Sequence, residues 1–187
     1  MQRIFAALLF WTLILCACST GAASPQTVPP PTATSFALPT TAALPTSRGC
    51  AFQWAYQDLP ELSSSFEQSI QALQPEAQAS ALAYGENCIR PDGSVANFFA
   101  RETDFDLILQ VDDLVDEANL GKWIVQVMQV IENIPAGEIA GRGPGQVSII
   151  FQSGTAQSKI NFEFYRYLAL PAALSNAEIY KALKIPQ

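Results

Sequence analysis

Glu102, Asp104 and Asp106 stand two apart in the stretch RETDFDL, and Asp112, Asp113, Asp116 and Glu117 follow closely. No Lys or Arg falls between Arg101 and Lys122. On a strand, side chains two apart share a face at intervals of roughly 6.5–7 Å. Carboxylates at that spacing suit one calcium ion, whose oxygen ligands lie at about 2.3–2.6 Å. Glu102, Asp104 and Asp106 are therefore the candidate metal ligands, with calcium the candidate ion. The run is not an EF-hand. Counted from Asp104, Ile108 and Leu109 take the places of an oxygen ligand and the turn glycine. The competing reading is a solvated sheet face, with Asp113 or Asp116 capping the next helix, and on these residues alone it takes precedence. Paired-carboxylate glycoside chemistry needs two groups across a cleft, and nothing in the sequence marks a cleft.

Other chemistries drop out by residue type. The chain has no histidine. That removes Ser-His-Asp and Cys-His nucleophiles, a His general base and His-ligated metals. The glycines of GRGPG (141–145) follow a helical pattern and precede a strand. A phosphate loop has the opposite order, so that a helix N-terminus meets the phosphate. The loop reads as a connector. The aromatic residues Trp54, Tyr56, Tyr165 and Tyr167 are a candidate platform for a glycan or a protein partner. Core or helix-covered packing is the alternative, because Phe162 and Phe164 alternate with Tyr165 and Tyr167.

The elements that position these residues follow from periodicity. Leu59, Leu62, Phe66, Ile70 and Leu73 recur at helical spacing, which predicts a helix over 58–74 with Asp58 and Glu61 as a capping box. Phe52, Trp54 and Tyr56 alternate, so 51–56 reads as a short strand. Strands are expected at 78–86 and 96–111, joined by the turn RPDGS. Phe99, Thr103, Phe105, Leu107 and Leu109 share one face of the second, with Arg101 interrupting it. A helix over about 115–134 carries a narrow polar stripe on an otherwise apolar surface, the pattern of a largely buried helix. Strands at 146–153 and 159–168 follow. A last helix starts at Ser175, with Ser175 and Glu178 as a capping box. The order α-β-β-α-β-β-α, with a possible N-terminal strand, predicts an α+β fold. The expected sheet is antiparallel, of four to five strands, with two main helices on one face.

The N-terminal region gives an address. Arg3 precedes an apolar run from Ile4 to Leu15 that is too short to span a bilayer. That is a secretory signal pattern. It ends Leu15-Cys16-Ala17-Cys18, which resembles the lipobox of bacterial lipoproteins. An aliphatic residue stands three before Cys18 and a small one directly before it. The resemblance implies cleavage after residue 17, acylation of Cys18, and a cell-envelope protein held to the membrane by its lipidated N-terminus. Each buried CH₂ of an acyl chain contributes about 0.8 kcal/mol.

From residue 18 to 47 the chain is rich in Pro, Thr and Ala and carries no charge. Its prolines forbid a continuous helix or central strand, so it reads as a disordered tether. In polyproline II it reaches on the order of 80–90 Å. Residues 48–187 are one domain's length. Loss of the signal segment with Arg3 leaves 9 basic against 17 acidic residues, a net charge of −8. An acidic domain without a basic patch is not a nucleic-acid binder. In an oxidising compartment Cys50 and Cys88 form a disulfide, which also removes thiolate chemistry. The expectation is a lipid-anchored, non-enzymatic binding or structural domain of the envelope, with an unknown protein or glycan partner. The alternative is a calcium-binding or hydrolytic module using residues 102–117.

Overall fold

The computed structural model describes residues 49–184. The signal segment, Cys18 and the tether lie outside the described residues. The described chain runs β1 (Ala51–Asp58), α1 (Pro60–Gln71), β2 (Gln78–Ile89), β3 (Val95–Gln110), α2 (Glu117–Glu132), β4 (Pro144–Ser153), β5 (Ala156–Glu163), α3 (Phe164–Leu168) and α4 (Asn176–Lys184). The fold is α+β, as expected, but the order opens with a full strand and closes with two helices.

The five strands form one sheet in the order β1-β2-β3-β4-β5. Three neighbouring pairs are antiparallel. The pair β3–β4 is parallel, from Thr103↔Pro144 to Gln110↔Gln152. The sheet is therefore mixed, which corrects the antiparallel expectation. The physical reason is the connection between these strands. A parallel neighbour needs a crossover of a dozen or more residues, and α2 with its flanking loops supplies one.

Local chemistry explains most boundaries. Pro60 occupies the first turn of α1, where its missing N–H costs nothing. The residue before the helix is Leu59, with no side-chain cap. Asp58 stays in β1, so the capping box expected with Glu61 does not form. Asp116 caps α2, its side chain accepting from the Asn119 N–H at 3.1 Å. Ser175 and Glu178 do form their box. Ser175 Oγ and its N–H both donate to Glu178 Oε2, at 2.7 and 2.8 Å. The strand expected over 159–168 stops at Glu163, where the chain turns into α3.

One apolar core joins the layers. It takes Leu62, Phe66 and Ile70 from α1, and Leu120, Ile124, Val127, Met128 and Ile131 from α2. Phe105, Leu107 and Leu109 come from β3, Val147, Ile149 and Phe151 from β4, Ile160 and Phe162 from β5, and Tyr180 and Leu183 from α4. Phe66 meets Phe105 edge-on with ring centroids 4.9 Å apart. Gly121 lets α2 approach α4 closely, because a Cβ there would run into the backbone of Asn176.

A β-bulge in β3 decides which side chains face this core. Tyr84 pairs with Glu102, but Gly85 pairs with Ala100, so Arg101 is the extra residue. The bulge reverses the alternation of β3. Thr103 and Phe105 turn to the core and are fully buried, while Phe99 lies on the opposite face, half exposed. The expected shared face of Phe99 with Phe105 fails for this reason. Arg101 no longer interrupts anything.

Candidate functional site

The face of the sheet turned away from the core carries the candidate residues. The registers place Phe52, Trp54 and Tyr56 of β1 on it, opposite Cys88, Glu86 and Tyr84 of β2. Glu102, Asp104 and Asp106 of β3 follow, opposite Tyr84, Leu82 and Ser80. Ser148 of β4 lies beside Asp106 and opposite Asn161 of β5, and Glu163 lies opposite Gln146. The sequence expectation that Glu102, Asp104 and Asp106 share a strand face is met. Trp54 and Tyr56 are also brought together. Tyr165 and Tyr167 are not part of this face. They sit on α3, which packs against β4, β5 and α4. Tyr165 is exposed, and Tyr167 rests against the core.

Aromatic rings form a ladder along the edge of this face. Trp54 stacks on Tyr84 with centroids 5.2 Å apart and planes 12° apart. The Tyr56 ring lies 5.1 Å from the same Tyr84 ring, tilted by 40°. The Arg101 guanidinium is 5.8 Å from the Trp54 ring and 2.8 Å from Glu86 Oε1. Such ring and cation–π contacts favour a fixed arrangement. Nothing in the described chain covers it: Phe52, Trp54 and Tyr56 remain 62%, 57% and 59% exposed. Tyr84 and Arg101 escaped the sequence reading. Strand alternation from Trp54 to Tyr56 contained half the signal, but the partner strand's register and the bulge did not show in the sequence.

The carboxylates beside the ladder are crowded and unevenly solvated. Asp104 is buried, and its Oδ1 accepts from the Gln146 N–H at 2.8 Å. Gly145 makes the room, since a Cβ there would press on Asp104 Oδ1 and on the Glu102 side chain. Burial pushes the Asp104 carboxyl up, and the charges of Glu163 and Asp106 push the same way, against the Gln146 hydrogen bond. Burial also raises Glu102, helped by Asp104 and Glu163. Tyr56 is raised as well, first by partial burial, then by Asp104, Tyr84, Asp106 and Glu102. Burial and neighbouring acids thus act together on this face, with Arg101, Arg142 and Lys159 on the same side of the sheet. Among the described residues, no three acidic or thiol side chains converge as a metal ion needs.

Two shallow hollows lie on this side. One, of about 300 Å³, is lined by Trp54, Tyr84, Arg101, Glu102, Arg142 and Pro144 among others. The other, of about 400 Å³, includes Ser80, Asp106, Ile108, Ser148, Ile150 and Lys159. The loop before β4 shapes the first. Thr103 Oγ1 donates to the Ala140 carbonyl at 3.0 Å and accepts from its N–H at 2.9 Å. The Arg142 N–H donates to the Arg101 carbonyl at 2.9 Å. Gly141, at φ 78°, permits this approach, because a side chain there would strike the Arg101 backbone. The Cys50–Cys88 pair, with Cα atoms 5.0 Å apart, stands at disulfide distance and closes the far end of β1 onto β2.

Comparison with protein-family models, with curated proteins and with solved structures finds no match to this chain.

Proposed function

We propose that this chain is an exported, non-enzymatic binding domain, anchored to the cell envelope through a lipidated Cys18 and held off the membrane by its tether. Its partner is a cationic segment of another envelope protein, received on the open sheet face. The observation that carries this reading is the uncovered aromatic ladder of Trp54, Tyr84 and Tyr56 beside Glu102, Asp104 and Asp106, where burial first and neighbouring acids second raise the Glu102 and Asp104 carboxyls. Lys and Arg side chains match both halves. Their heads pair with carboxylates and their stems and charge lie well against aromatic rings. The signal and lipobox patterns support the location, and the absence of histidine supports a binding role.

Trp54 fluorescence tests the partner class. Titration with an extended Lys/Arg-containing peptide should change the emission, and affinity should fall about tenfold or more as salt rises past physiological ionic strength, where the Debye length is about 8 Å. Glu102→Gln with Asp104→Asn and Asp106→Asn should abolish that salt dependence. Equal binding of the Glu-substituted peptide, or salt-independent binding of a neutral oligosaccharide, would overturn the assignment.

A further inference from the structure

The two edges of the sheet differ in a way that points to a second copy of this chain. Strand edges carry unpaired N–H and C=O groups that invite another strand, and proteins blunt them with charge, proline, bulges or cover. The β5 edge is blunted. It carries Lys159 and Glu163, and both α3 and α4 pack against it. The β1 edge is not. From Ala51 to Gln57 it has no charge, no proline and no glycine, and its ladder with β2 shows no bulge. No β1 residue belongs to the core, and three large aromatics stand exposed on one of its faces.

We infer that β1 pairs antiparallel with β1 of a second copy about a twofold axis at Trp54, making one ten-stranded sheet. In that register Trp54 meets Trp54, Phe52 meets Tyr56, and Gln53 meets Ala55 of the other copy. The aromatic rows of both copies join on one face. The charge pattern permits it. Asp58 falls opposite Cys50, not opposite another carboxylate. The acidic strands β3 of the two copies stand five interstrand spacings apart, about 24 Å, well beyond the physiological Debye length of about 8 Å. A second copy fits better than a foreign strand because this edge is its own complement, apolar and uncharged, whereas the charge that selects a cationic partner lies strands away. The contact is small beside the roughly 800 Å² per partner of a standard interface, so the pairing is weak in solution and gains from confinement of copies on one surface.

Sedimentation of the oxidised full-length chain in mild detergent, from about 10 μM to about 1 mM, the range of a weak contact below the standard interface size, should show monomer passing to dimer. Over the same range, hydrogen exchange of the β1 amides that do not bond to β2 should slow severalfold. Gln53→Glu with Ala55→Glu sets like charges directly opposite at two places and should leave only monomer. Gln53→Lys with Ala55→Glu sets opposite charges at the same places and should restore the dimer, which separates register from any folding defect of Ala55→Glu. A chain that stays monomeric throughout overturns the pairing. So does a dimer whose β1 amides are unprotected, or one indifferent to the two charge patterns. Pairing of β1 only with an added foreign peptide would also overturn it.

Discussion

Glu102 and Asp104 are held above the usual carboxylate range by burial and by neighbouring acids. A group whose folded pKa is raised binds its proton more tightly when folded. Its contribution favours the folded state below its unfolded pKa of about 4 and is lost as pH rises through the folded value. At neutral pH both carboxylates therefore weaken the fold. Glu102→Gln with Asp104→Asn, which keeps an oxygen for the Gln146 N–H, should raise the melting temperature at pH 7 by a few degrees. The difference from the parent chain should vanish toward pH 4 and below; a drop at pH 7 would contradict the electrostatic picture. Thr103 is the opposite case. It is fully buried and exchanges two hydrogen bonds with Ala140. Thr103→Val leaves both backbone groups without their partner and should cost about 1–3 kcal/mol in chemical denaturation. The same change frees the Arg142 loop, so cationic-peptide binding should weaken with it.

At the scale of elements, β1 is the least supported strand. It pairs with β2 and contributes nothing to the core, so ladder hydrogen bonds, the ring contacts of Phe52, Trp54 and Tyr56 and the Cys50–Cys88 link hold it. A loop of this length is worth about 3–4 kcal/mol in the chain-entropy model. Cys50→Ser with Cys88→Ser should raise amide exchange in β1 well above that of β3 and β4, with the core still folded; uniform loss of protection would contradict this. The strength of β1 was only partly legible in the sequence. Alternation of Phe52, Trp54 and Tyr56 gave the strand, but not its exposure. The helices read well where an apolar stripe at helical spacing met a polar remainder, as in α1, and where a narrow polar stripe crossed an apolar surface, as in α2. Two features stayed hidden. The bulge at Arg101 depends on pairing with β2, a long-range property. The parallel β3–β4 pair depends on where α2 returns the chain, which local periodicity does not encode. The candidate face followed suit: its carboxylates and half its rings were visible, while Tyr84, Arg101 and the loop with Arg142 enter through register.

At the scale of the molecule, the fold is lopsided. Among the described residues, α1, α2 and α4 share one core with β3, β4 and β5, and on the other face the rings of Phe52, Trp54 and Tyr56 stay exposed beside the carboxylates of β3. The core buries its aromatic residues Phe66, Phe105, Phe151, Phe162 and Tyr180 completely, so the exposure of Phe52, Trp54 and Tyr56 is not a shortage of interior. An acidic face lined with exposed aromatic rings suits the proposed capture of a basic segment. The most direct measurement is an amide-shift map of the chain during titration with an extended Lys/Arg-containing peptide. The account predicts shifts concentrated at Trp54, Tyr56, Tyr84 and Glu102 to Asp106, shrinking as salt is added. Shifts centred on α2 and α4, or none at all, would contradict it.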